Sequence, residues 1–409
     1  MTTVEFFDRS PIMNIVSSLT TLPEKIIFLG DEASMARHDP IYRSFLSQRG
    51  LNTRLEYRNI CGLELEGIVE LLTHIVETEP DCAFDLTGGK DLALVAMGIV
   101  YERFRDQNVR LQSFHVRCSE VCDCAADGKE LYRGCPSLTV RESIRLHGGM
   151  VRGDGTVDWC LTPGFIGDVH AMWAICRQDP KGWNSRMNVL ASAVARKAGP
   201  NDLNVELSLS KLRARAKQVK ENVTNIGRLL SQLYEAGLIE NYSEWGDEIT
   251  YRYKDPQVKK CLEKAGTALE MEVLVTAAEL TQDGLPYYQD AMSGVAIDWD
   301  GRFHSMNDED KDTENEIDVL LMKGVIPVYI SCKNGQVEEV ELYKLDTVAR
   351  RFGGPVAKKA LVTSRLDMKE SSLAHYRQRA KDMGIKLIEN ACDLEPEAFR
   401  QMVKDLIEL

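Results

Sequence analysis

The sequence predicts an α/β protein in three parts: a helix-covered parallel sheet, a small winged helix–turn–helix, and a second α/β unit. Three observations carry this expectation. Short apolar runs alternate with stretches of helical periodicity over roughly residues 1–150 and again after about 266. Between them lies "NVTNIGRLLSQLYEAGLIENY", an Asn-capped amphipathic helix closed by Gly237 and followed by the hairpin-like "EWGDEITYRYKD". A chain of 409 residues has room for two or three domains, each with its own core.

The first part opens with "TTVEFF" and "KIIFLG" as strands, then the helical "DPIYRSFLSQRG" and the strand "NTRLEYRNI". "ELEGIVELLTHIVETE" carries apolar residues at helical spacing. "CAFDLTGG" reads as a strand ending in two glycines, before the helix "DLALVAMGIVYERF" and the strand "VRLQSFHV". Strands separated by helices imply a parallel sheet covered on both faces. From about 125 to 180 the chain is rich in Gly and Pro and poor in periodicity, and reads as a connection. The last part opens on the helix "TALEMEVLVTAAEL". The strands "GVAID", "EIDVLLM", "VIPVYIS" and "KALVTS" follow, the second and third joined by the Lys323-Gly324 turn. "YKLDTVARRF" and "SSLAHYRQRAKDMG" are helical and "IKLIE" is a strand, which makes a second α/β unit independent of the first. The expected divisions are 1–150, a connection over 151–184, 185–265 and 266–409.

Apolar residues make up 44% of the chain and charged residues 28%, as in soluble globular proteins. No apolar run approaches the ~18 residues of a membrane span. "MTTVEFFDRS" has acids where a signal peptide needs a basic region and an apolar core, so the expectation is a cytoplasmic protein. The 11 cysteines are scattered and odd in number, compatible with reduced thiols. His115, Cys118, Cys122 and Cys124, with Cys135 nearby, form one cluster. Its spacing is not that of a paired CxxC zinc site, and ordinary small buried or loop residues are the preferred reading.

A net charge of −13 argues against a protein that coats nucleic acid over its whole surface. A local basic stretch remains: Lys211, Arg213, Arg215, Lys217 and Lys220 in "SLSKLRARAKQVKENV". It reads either as a nucleic-acid contact or as a solvated helix face on a connector domain.

Chemistry concentrates in "NEIDVLLMKGVIPVYISCKNG". Strand alternation puts Glu316 and Asp318 on one face, and likewise Ser331 and Lys333. Asp298 at the end of "GVAID", and Glu272 on the preceding helix, would meet them at the strand ends. Clustered carboxylates suit Mg²⁺ or Mn²⁺, and a neighbouring lysine would orient water or stabilise a phosphorane-like transition state. A plain strand-end salt bridge between Lys333 and Asp318 is the alternative.

The hairpin resembles the core of the PD-(D/E)xK restriction-endonuclease superfamily, in which an acid on one strand is followed on the next by Glu-x-Lys. Here Ser331 stands where that family has its Glu, giving "SCK". The resemblance implies catalytic Asp318 and Lys333, with Glu316 and Ser331 beside them. Metal would be held by Asp318, with Glu316, Glu272 or Asp298 supplying the missing charge.

In the first part, "FDLTGGKDLALVAMG" is a strand, a Thr-Gly-Gly-Lys turn and a helix whose free N–H groups suit an anion. It matches neither the P-loop nor the GxGxxG fingerprint. A Gly-Gly turn by itself is also an ordinary tight connection. The unit resembles the CARF domains, the CRISPR-associated Rossmann fold, in which such a motif binds cyclic oligoadenylate at a dimer interface. Thr87, Gly88, Gly89 and Lys90 carry the match; Asp8, Arg9 and Ser10 of "FFDRSPIMN" stand where the family's loop closes over the ligand.

The order of a Rossmann-like CARF domain, a winged helix and a restriction-endonuclease-like domain resembles the ancillary nucleases of type III CRISPR systems. That resemblance implies a homodimer activated by cyclic tetra-adenylate. It would cut single- or double-stranded DNA, RNA or both with Mn²⁺ or Mg²⁺, away from any membrane. Rival readings are a ligand-responsive winged-helix transcription regulator with a degenerate nuclease, which Ser331 favours, and a constitutive repair endonuclease. A nucleotide-metabolising Rossmann enzyme would leave most of the chain unexplained.

Overall fold

The computed structural model describes the chain except for residues 126–129, 135, 155, 195–198, 200, 201, 303, 305–313, 336 and 409, and the side chains of 91 and 130–133. A seven-stranded sheet organises the N-terminal part. Its five parallel strands run, across the sheet, Arg54–Asn59, Lys25–Gly30, Thr2–Phe6, Cys82–Asp85 and Val109–His115. Two antiparallel strands, Glu120–Asp123 and Glu130–Arg133, extend the last edge. All five residues of Thr2–Phe6 are buried, as expected for a central strand covered on both faces. Helix Leu65–Thr78 covers one face, because Ile68, Val69, Leu72, Ile75 and Val76 recur at helical spacing; Asp91–Phe104 lies beside it. Val16–Thr21 and Glu32–Gln48 cover the other.

The middle of the chain is more ordered than its composition suggests. Two helices, Pro163–Cys176 and Pro180–Ala193, occupy most of the expected connection. Each begins with a side-chain cap, Thr162 or Asp179, followed by Pro at the first helical position. The first was illegible because "PGFIGDVHAMWAIC" contains two glycines and the side turned away from its buried face carries Gly164, Gly167, Ala174 and Ile175 instead of a polar stripe. The winged helix–turn–helix consists of Leu209–Gln218, Val223–Glu235 and the hairpin Ile239–Trp245 with Glu248–Tyr253. A third wing strand, Asn204–Ser208, pairs with the hairpin.

A six-stranded sheet forms the C-terminal part, in the order Ile385–Ile388, Lys358–Thr363, Ile326–Lys333, Glu314–Lys323, Asp290–Asp298 and Met150–Val151. Helices Thr267–Glu279 and Pro396–Lys404 share one core with Val319, Leu321, Val328 and Ile330. Val340–Gly353 and Glu370–Asp382 share the opposite core with Leu320, Met322 and Tyr329.

The two α/β units are not independent, which corrects the sequence reading. Met150–Val151 pairs with Ile297–Asp298, and helix Val140–Leu146 contacts both the Asp290–Asp298 strand and Val340–Gly353. Thr139 and Glu142 form a reciprocal cap on that short helix, and Arg49 grips Glu142 through two hydrogen bonds of 2.8 and 2.7 Å. Tyr42, Phe45 and Leu46 of the N-terminal unit therefore share one apolar core with Phe352 and Tyr329 of the C-terminal one. Gly149 sits at the joint, where an added Cβ would lie 2.5 Å from Phe352 Cε1 and 2.8 Å from the Asp298 carbonyl oxygen. Gly149→Val is expected to lower the melting temperature by several degrees, since backbone on one side leaves the clash nowhere to go. An unchanged melting curve would show that the joint yields.

Candidate functional site

The C-terminal site begins with the hairpin register. Val319 pairs with Ile330, so Ser331 stands opposite Asp318 and Lys333 one pleat further, on the face that Val340–Gly353 covers. Asp318 Oδ2 accepts hydrogen bonds from Ser331 Oγ at 3.0 Å and the Cys332 amide at 2.6 Å. Lys333 Nζ lies 3.6 Å from Asp318 Oδ2 and 3.0 Å from Glu341 Oε2. Glu316, on the exposed end of the strand, accepts from Lys264 at 2.9 Å.

These groups open onto a cleft of about 750 Å³, also lined by Glu270, Asn184 and Asn188. Glu270 is buried, and desolvation together with the Asp318 charge pushes its carboxyl up to about 7. Burial pulls the Lys333 ammonium the other way, but Asp318 and Glu341 more than offset it and leave its pKa raised. Lys344 and Lys333 outweigh burial at Glu341 and hold its carboxyl low.

The structure thus brings together Asp318, Ser331, Lys333 and Glu316. It does not bring Glu272 or Asp298 to them. Glu272 lies two residues from Glu270, about 200° round the helix, and binds His170 at 3.0 Å. Asp298 pairs with Glu314, four residues beyond the level of Asp318, or about 13 Å along the strand. Its buried carboxylate accepts from the Gly301 amide at 2.8 Å and closes a turn. Sequence reasoning missed Glu270, Glu341 and the two asparagines. Nearly every residue of Thr267–Glu279 is buried, so no polar stripe distinguished Glu270 from Glu272.

The cleft offers hard oxygen donors, Asp318 and Glu270 first, and a buried carboxyl held near a second one suits a cation such as Mg²⁺ or Mn²⁺. Among the described residues no three His, Cys, Asp or Glu side chains form a metal-holding group, so such an ion would keep several waters. The same finding covers His115, Cys118, Cys122 and Cys124, while Cys135 lies outside the described residues.

In the N-terminal sheet the strand order reverses between Thr2–Phe6 and Cys82–Asp85, and ligands of such sheets bind at the strand ends there. The loops carrying Asp8 and Gly88 meet at this point: a Cβ added to Gly88 would lie 3.2 Å from Asp8 Cβ. Gly89 has φ +140°, which favours glycine. Lys90 and Arg9 are exposed. Thr87 Oγ1 is occupied, accepting from the Phe114 amide at 2.8 Å. Ser10 is buried and faces Gly354 of the C-terminal unit rather than the strand-end crevice.

An α/β sheet with a crevice at its switch point and a second α/β unit with an acid-and-lysine hairpin define the class as a mixed α/β protein of several sheets. No family model and no curated protein matches the sequence. Among solved structures, the chain is similar to protein VC1899 from Vibrio cholerae, at 20% identity over all of this chain and 96% of that one, with a TM-score of 0.72. It is similar to Can2 from Sulfobacillus thermosulfidooxidans, solved with cyclic tetra-adenylate, at 16% identity, 100% and 97% coverage and a TM-score of 0.66. A type III CRISPR defence DNA nuclease activated by cyclic oligoadenylate matches at 14% identity and a TM-score of 0.51, covering 90% of this chain and 46% of that one. The chain shares its fold with these structures. Among the described residues no helix is long and apolar enough to cross a membrane.

Proposed function

We propose that the chain is a nuclease of type III CRISPR defence, activated by cyclic tetra-adenylate bound where the Asp8 and Gly88 loops meet. In this reading it acts as a homodimer and cuts DNA, RNA or both with Mn²⁺ or Mg²⁺. The observation that carries the reading is the cross-strand pair of Asp318, held by Ser331, and Lys333, opening onto a cleft that also holds Glu270. The fold shared with Can2 and with the cyclic-oligoadenylate-activated nuclease supports the activator.

In this mechanism Ser331 does not replace the carboxylate of a Glu-x-Lys motif. Its hydroxyl and the Cys332 amide hold one oxygen of Asp318 and fix the carboxylate's orientation. Glu270 supplies the second carboxylate from the neighbouring helix. Lys333 orients the attacking water and offsets charge growing on the phosphoryl oxygens. A divalent ion held by Asp318 and Glu270 would lower the pKa of bound water and polarise the phosphodiester.

The test is cleavage of labelled single-stranded DNA and RNA and of supercoiled plasmid by the full chain, with and without Mn²⁺ and cyclic tetra-adenylate. Wild type is expected to cut only with both, and Asp318→Asn to lose at least about 100-fold. Cutting without activator would establish a constitutive endonuclease instead. Tight ligand binding with sequence-specific duplex binding, and no cutting, would establish the regulator; the exposed basic side chains of Leu209–Gln218 would then meet the duplex.

A further inference from the structure

We propose that Glu341 is a positioning residue for Lys333, and that helix Val340–Gly353 transmits to it the position of the sensor loop carrying Asp8 and Ser10. This rests on the nuclease reading above.

Two contacts at opposite ends of one helix carry the inference. At its N-terminal end Glu341 is the nearer of the two carboxylates that Lys333 touches, 3.0 Å against 3.6 Å for Asp318, and Lys344 steadies it at 3.0 Å. The ammonium is thereby engaged by a group outside the hairpin. At the C-terminal end Gly354 adopts φ +61°, and a Cβ there would lie 3.2 Å from Ser10 Oγ and 3.7 Å from His147 Nε2. Ser10 and His147 are 7% and 4% exposed, and neither of those two atoms has a hydrogen-bond partner. Buried polar atoms without partners are uncommon in a settled interface, and a shift of the loop has hydrogen bonds to gain there.

Between the two ends runs a helix of 14 residues, a rod of about 20 Å. Its last turn is tied to the joint by Arg351, which donates to the His147 carbonyl at 2.7 Å. The same loop touches Gly88 through Asp8, so occupation of the crevice and the seating of Ser10 are one mechanical event. With the loop placed as here, Glu341 restrains the ammonium that the phosphodiester needs. A ligand that moves the loop displaces the rod at Gly354, draws Glu341 back and releases Lys333 toward the substrate. Because coupling between sites is reciprocal, loosening the Glu341 pair must favour the state that the ligand also favours.

The test compares full-length wild type, Glu341→Gln and Gly354→Ala. Cyclic tetra-adenylate affinity is measured by titration without metal, and cleavage with Mn²⁺ in the presence and absence of activator. Glu341→Gln is expected to bind the activator at least about 5-fold tighter and to cut at least about 5-fold faster without it. Gly354→Ala is expected to fold and bind, with stimulation by the activator reduced about 5-fold or more. A merely structural Glu341 predicts the reverse: weaker binding and slower cutting in Glu341→Gln. Wild-type affinity and wild-type basal rate in that variant overturn the inference while leaving the nuclease reading intact. Wild type that cuts under no condition overturns the nuclease reading and with it the role of Glu341. Should Gly354→Ala not fold, the affinity of Glu341→Gln decides the coupling by itself.

Discussion

Lys333→Ala is expected to lower the activator-stimulated cleavage rate by about 100- to 1,000-fold, the usual cost of removing one preorganised charge from a phosphoryl or acyl transition state. The substitution also removes the cation shared by Asp318 and Glu341 and leaves Lys264 alone to offset the carboxylate charge facing Glu270. Three carboxylates around one cleft then repel one another. Added Mn²⁺ is therefore expected to raise the melting temperature of Lys333→Ala by more than that of wild type. Lys333→Arg separates charge from shape: it restores the cation but not a compact ammonium donor, and is expected to recover stability and little activity. If Lys333→Ala cuts at the wild-type rate, the lysine belongs to a strand-end salt bridge and the chemistry lies elsewhere.

Glu270→Gln tests the second carboxylate through pH. The fold raises the Glu270 carboxyl from 4.5 to about 7, chiefly by burial and then by the charge on Asp318. The folded chain therefore holds a proton there that the unfolded chain has released between those two values. Stability falls as pH rises through that window, and the full cost, about 3 kcal/mol by the size of the shift, stands above it. Glutamine carries no such cost. The variant is expected to melt a few degrees above wild type at pH 8 and level with it at pH 5, and to lose Mn²⁺-dependent stabilisation at both. Equal shifts at the two pH values would show that packing, not ionisation, sets the difference.

The sheets were legible because their strands carry local signals. "TTVEFF", "KIIFLG" and "VIPVYIS" are apolar runs of strand length, and "NVTNIGRLLSQLY" announces its cap and its apolar stripe. The Lys323-Gly324 turn marked the hairpin, and alternation then put Asp318 on one face of its strand and Lys333 on one face of its own. Helix Pro163–Cys176 was lost because its glycines, and the small and apolar residues on the side turned away from its buried face, erase the pattern on which such readings depend. The short strands Asn204–Ser208 and Met150–Val151 draw their pairing from distant partners, which no local window contains.

By itself, then, the sequence determined most of the strands, the hairpin and the strand faces on which Asp318 and Lys333 stand, because periodicity and turn preference are local properties of the chain. Only the tertiary structure decided that Glu270 rather than Glu272 faces the cleft, and that Asp298 closes a turn instead of joining the site. It alone seated Glu341 against Lys333 and Ser10 against Gly354. Each of those choices depends on how far a helix is rotated over a sheet or how two units are docked. Such quantities are set by the sum of many weak contacts between residues far apart in the chain, and none of them is written in any one segment.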